Sequence, residues 1–118
     1  MPESAPSSYI LTTETKHFPD GVAVVHCNGR LVTGAVDILS ATVRELIPTN
    51  KRIILDLLEV EHTDSTGLGI LVRLYVAAKA AGCSVELMHL NKPIQELLVL
   101  THLYEVFTVV GEKGVEFG

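Results

Sequence analysis

Between residues 52 and 90 the hydrophobic pattern changes period twice, and this constrains the fold more than any other feature. Arg52 to Leu57 is a short, nearly all-apolar run, Ile53-Ile54-Leu55 before Asp56, which suits a central strand covered on both faces. Ser65 to Ala81 then carries apolar residues at helical spacing and closes at Gly82, where a left-handed cap is expected. Val85 to Leu90 returns to a strand pattern. A strand, a helix and a strand in this order need a right-handed crossover, so an α/β sheet with helices packed on it follows.

The flanking segments extend the same layout. Tyr9 to Lys16 and Gly21 to Cys27 read as strands joined by the turn Phe18-Pro19-Asp20-Gly21, and so short a connection makes them antiparallel neighbours. From Gly34 to Ile47 the residues Val36, Leu39, Val43, Leu46 and Ile47 recur at helical spacing, and Pro48 prevents continuation. Leu58 to Asp64 reads as a loop. Asn91-Lys92-Pro93 opens a short helix with Ile94, Leu97 and Leu98 inward, and Val106 to Val110 is a last strand. The expected architecture is a single α/β domain over residues 9–111, with a mixed sheet of four to five strands. A flexible segment over 1–8 and a polar tail over 112–118 flank it.

A chain of 118 residues supports one core without disulfides or metal. Nearly half its residues are apolar, which excludes a disordered or fibrous class. The net charge of −5 without a basic run argues against nucleic acid, whose binding needs clustered Lys and Arg. Neither a secretory signal nor an apolar run of bilayer length is visible, so a cytoplasmic location away from membranes is expected. In that setting Cys27 and Cys83 are expected to stay unpaired.

The segment from Ile53 to Gly69 carries the functional signal. An apolar strand with Leu55-Asp56-Leu57 runs through the loop Leu58 to Asp64, whose last residue begins Asp64-Ser65-Thr66-Gly67-Leu68-Gly69 and opens an apolar helix. This pattern resembles the signature of the STAS family, which includes the bacterial anti-sigma factor antagonists. Gly29, the helix end at Gly82 and Leu100-Thr101-His102-Leu103 before Val106-Phe107 also resemble the family layout, so the likeness covers nearly all of the chain beyond residue 8. It implies a non-enzymatic module whose Ser65 is phosphorylated by an anti-sigma factor of the histidine-kinase-like serine kinase type. The unphosphorylated form would bind that partner, and a phosphatase is a second candidate partner. Many antagonists carry Gly-Glu-Leu-Asp where this chain has Gly29-Arg30-Leu31-Val32, and Arg30 would instead pair with the acidic loop or with a phosphate. A constitutive scaffold or ligand-sensing STAS module is the competing reading.

The physics of the site can be argued apart from the resemblance. A helix N-terminus exposes unpaired backbone N–H groups and a partial positive charge, so it tolerates a phosphate. Glycines at 67 and 69 keep bulk away from Ser65, and Asp64, Thr66, Gly67, Leu68 and Gly69 form the surface a partner would meet. A phosphate would bring about −1.5 to −2 charges beside Glu59, Glu61 and Asp64, and a differential of about 3–5 kcal/mol switches a partner that buries Ser65. Along the helix Leu68, Leu71, Val72, Tyr75 and Ala78 form one stripe. Ile70, Leu74, Ala77 and Ala81 form another, which either faces solvent as a docking surface or packs under a neighbouring helix.

Plainer roles stand beside these. Ser65 is also a suitable helix N-cap, Thr66 an alternative acceptor or first-turn residue, and Asp64 a charge that stabilises the helix start. Asp56 either neighbours Ser65 or leaves the sheet toward water. Glu59, Glu61, His62 and Asp64 match no metal motif, and His17, His26, His89 and His102 have no paired ligand spacing, so surface or strand-end positions are expected and neither metal nor cofactor is implied. Nucleophile-elbow, Walker and dinucleotide motifs are absent, and no base-and-orienter pair accompanies Ser65.

Overall fold

The computed structural model describes residues 10–110. The proposed segments 1–8 and 112–118, and the outermost residues of the proposed domain, lie outside them. Five strands form one sheet in the order β1 (Leu11–Phe18), β2 (Val22–Leu31), β3 (Arg52–Thr63), β4 (Ser84–Met88) and β5 (Thr108–Val110). The first pair is antiparallel and every other pair parallel, a mixed sheet as the turn and the crossovers require. Helices α1 (Val36–Leu46), α2 (Ser65–Ala80) and α3 (Lys92–Leu100) provide the connections, and Pro48 falls in a short 3-10 turn, Ile47–Thr49, that ends the first helix. Gly82 has φ +80°, the left-handed conformation expected after α2.

Strand alternation separates two cores. Ile53, Leu55 and Leu57 of β3 face the side where Leu39 and Val43 of α1, Leu71 and Leu74 of α2, and Ile94 and Leu98 of α3 pack. Ile54 points the other way, among Val22, Val24 and Met88. The central strand is therefore covered on both faces. On the second face Glu86 is buried but doubly bound by Arg52, Nε to Oε2 at 3.0 Å and Nη2 to Oε1 at 2.8 Å, and Ser84 Oγ donates to it at 2.9 Å.

The expected loop over 58–64 is strand for all but its last residue. β3 continues to Thr63 because the far end of β2 supplies partners: Asn28 opposite Glu59, Gly29 opposite Val60, Arg30 opposite His62 and Leu31 opposite Thr63. Two bulges interrupt this extension. Leu57 and Leu58 together oppose Cys27, and Glu61 is the extra residue between the pairs of Gly29 and Arg30. The bulges break the period-2 alternation, which is why the segment reads as a loop in sequence.

Candidate functional site

β3 delivers its C-terminal end to the start of α2, and Asp64 makes the joint. Its backbone is extended, with φ −103° and ψ −173°, and its Oδ1 accepts a hydrogen bond from Gly67 N at 2.9 Å. Asp64 is thus the N-cap. Oδ2 accepts from Thr33 N at 3.2 Å and from Thr33 Oγ1 at 3.4 Å, so the same carboxylate ties the end of β2 to the helix. The Gly67 amide, then the Thr33 and Thr66 donors, outweigh desolvation and hold the Asp64 carboxyl below the usual carboxylate range. Its structural role, one of the readings from sequence, is the one observed.

With Asp64 as cap, Ser65 is the first helical residue. Its capping role is corrected: the side chain is exposed, and among the described residues its hydroxyl has no hydrogen-bond partner. Thr66 is also exposed, but its Oγ1 accepts from Thr33 Oγ1 at 3.0 Å. Thr33 was not singled out in the sequence, and no local signal marks it.

Gly67 and Gly69 do different work. A Cβ at Gly67 would collide with the backbone carbonyl oxygen of Leu31, so this glycine permits β2 and α2 to touch and is buried. The idea that it opens the site to a partner is corrected. Gly69 is exposed and a Cβ there would meet nothing within 4 Å, which leaves open surface one turn beyond Ser65.

The stripe through Ile70 and Leu74 packs inward. At about 100° per residue it lies beside the Leu68–Leu71 stripe, not opposite it, so the two merge into one broad apolar arc. Leu74 is wholly buried, Ile70 is 8% exposed and Leu68 7%, all in the core shared with α1. Leu74 therefore offers no surface to a partner, which corrects that assignment, and Leu68 and Ile70 offer only an edge. Ile70 reaches a recess of about 230 Å³ lined also by Val36, Ser65, Thr66, Gly69 and Arg73. Arg30 is exposed opposite His62 and, among the described residues, makes no ion pair with Glu59, Glu61 or Asp64; Glu59 is held by Asn28 Nδ2 at 2.9 Å.

Asp56 neither adjoins the helix start nor leaves toward water. It is 5% exposed, with Oδ2 2.6 Å from His26 Nδ1, and with Oδ1 2.8 Å from His89 Nδ1 and 3.1 Å from the Leu58 N–H. Burial pushes this carboxyl up, but the hydrogen bonds from His89, Leu58 and His26 and the attraction of His89 outweigh it and hold it below the usual range. His89 directly follows β4 and the His26 side chain is part-exposed on β2, the strand-end and surface positions expected, but both imidazoles meet on one carboxylate, which their spacing did not indicate. They sit 63 positions apart in sequence but converge because β2, β3 and β4 are adjacent. Cys27 and Cys83 are free and buried, and burial with the charge of Asp56 pushes the Cys27 thiol up to about 12. No helix among the described residues is long and apolar enough to cross a membrane.

Residues 14–113 match the STAS domain family. An anti-sigma factor antagonist from Mycobacterium paratuberculosis superposes with a TM-score of 0.75 at 25% identity, over 91% of this chain and 89% of that one. The anti-sigma factor antagonist SpoIIAA in its unphosphorylated form gives 0.72 at 16% identity, over 86% and 90%. A sulfate transporter family protein from Wolinella succinogenes gives 0.70 at 24% identity, over 80% of each chain.

Proposed function

The chain belongs to the STAS domain family, and from that premise we propose that it is a cytoplasmic, non-enzymatic anti-sigma factor antagonist switched by phosphorylation of Ser65. The observation that carries this reading is the division of labour at the helix start: Asp64 does the capping, which leaves the exposed Ser65 hydroxyl without a structural duty. A phosphate on that oxygen would stand in solvent at the positive end of the α2 dipole, where the Gly67 amide is already taken by Asp64, so the charge disturbs no contact of the domain itself. A partner packed over Ser65 would not, because it would have to desolvate a dianion. The partner in this reading is an anti-sigma factor that is also a histidine-kinase-like serine kinase, with a phosphatase to reverse the switch.

The test uses the intact chain, ATP and a purified anti-sigma kinase from the same organism. Intact-mass spectrometry should record one added phosphate, and Ser65→Ala should remove it. Ser65→Asp should weaken kinase binding by at least about 100-fold, the equivalent of about 3 kcal/mol. The likeness to a sulfate transporter family protein favours a second reading, a constitutive scaffold or ligand-sensing module. In that case Ser65→Asp would leave partner affinity unchanged.

A further inference from the structure

The side of α2 that begins at Ser65 is the exposed strip Ser65, Gly69, Arg73, Val76 and Ala80, whereas the stripe through Ile70 and Leu74 is the one that packs inward. Three features set it apart. Val76 is 58% exposed and places an apolar side chain on the strip. The recess between α1 and α2, bounded by Val36 and Ile70 with Gly69 open beside it, sits between Ser65 and Arg73. Finally, α2 contains Arg73 and Lys79 and no acidic residue, although the chain carries a net charge of −5. Lys79 lies over the Tyr75 ring, 5.7 Å from its centroid, whereas Arg73 has no carboxylate partner among the described residues.

Resting on the functional reading above, we infer that this strip is the docking surface for a protein segment that places an apolar side chain in the recess beside Val36 and Gly69 and a carboxylate against Arg73. From Ser65 to Ala80 the 16 residues of helix rise about 22 Å, too long for a small ligand and comparable with the width of a standard protein contact patch of about 800 Å². An isolated guanidinium beside an apolar hollow selects an acidic, apolar segment, because a basic one would be repelled and a purely apolar one would leave the charge desolvated. The strip also starts at Ser65, so the docked segment would lie where a phosphate on that hydroxyl repels its carboxylate.

Calorimetric titration of the purified anti-sigma kinase that labels Ser65 tests this, against the wild-type chain and against Arg73→Glu, Val76→Asp and Lys16→Glu. Lys16 is on β1, away from α2, and its replacement changes the net charge by the same amount as Arg73→Glu. Arg73→Glu and Val76→Asp should each lower affinity at least about tenfold, with Lys16→Glu within about twofold. Circular dichroism and urea midpoints should match the wild type, since both side chains are exposed. Wild-type affinity in Arg73→Glu and Val76→Asp overturns the inference and leaves the Ser65 reading standing, as does an equal loss in Lys16→Glu. A kinase that neither binds the chain nor labels Ser65 removes the functional reading and the inference with it. Self-association in sedimentation that Arg73→Glu abolishes makes a second copy the occupant and likewise overturns the proposal.

Discussion

Gly67 lies so close to Leu31 that an added Cβ would stand 2.9 Å from the Leu31 carbonyl carbon and 3.0 Å from its Cγ, with the carbonyl oxygen nearer still. The same oxygen faces the Asp64 amide at 3.4 Å, so the end of β2 and the start of α2 are packed backbone to backbone. Gly67→Ala should therefore destabilise the domain by about 1–3 kcal/mol through overpacking. Gly69→Ala has free space and should stabilise it by about 0.5–1 kcal/mol through helix propensity. Urea denaturation of the two variants measures both, and equal effects would refute the separation of their roles.

Capping by Asp64 predicts an asymmetry between neighbours. Asp64→Ala should lower the urea midpoint, because the Gly67 and Thr33 amides lose their acceptor, and Asp64→Asn should recover much of the loss. Ser65→Ala should change stability by no more than about 0.5 kcal/mol. If Ser65→Ala proves the more damaging of the two, the cap has been assigned to the wrong residue.

Asp56 gives a pH dependence whose sign can be worked out. Its folded carboxyl lies below its ordinary value, so its stabilisation is complete above an unfolded value of about 3.9 and is lost as pH falls through the lower folded value. Asp56→Asn should flatten the acid limb of the stability curve over that window. At neutral pH Asp56→Ala should cost about 3 kcal/mol, since two imidazoles and the Leu58 amide lose their shared acceptor. Thermal melts from pH 3 to 7 provide the measurement, and an unaltered acid limb in Asp56→Asn would contradict it.

The burial of α2 separates its two sides. Leu74→Ala removes a wholly buried side chain and should cost about 2–5 kcal/mol, whereas Val76→Ala should fall within about 0.5 kcal/mol of wild type. Comparable losses in both would mean that the exposed strip is in fact covered.

Much of this architecture was legible because it is written in local periods. The helical spacing from Leu68 to Ala78, the Ile53-Ile54-Leu55 run and the stop at Gly82 each reflect interactions within a few residues, and all appear where they were expected. The position of the Asp64-Ser65-Thr66-Gly67 corner was legible for the same reason, although the cap proved to be Asp64 and not Ser65. Less visible was which face of α2 is covered: periodicity locates an apolar arc, but only the position of α1 shows that Ile70 and Leu74 lie inside it.

The sequence by itself determined the order of strands and helices and the place where α2 begins, because backbone hydrogen bonding and turn geometry depend on near neighbours. Tertiary structure alone decided that β3 runs on to Thr63, that Gly67 fits against Leu31, and that His26 and His89 grip one buried carboxylate. Each of these joins residues about 30 or more positions apart, and strand pairing creates such contacts without leaving any trace in local spacing.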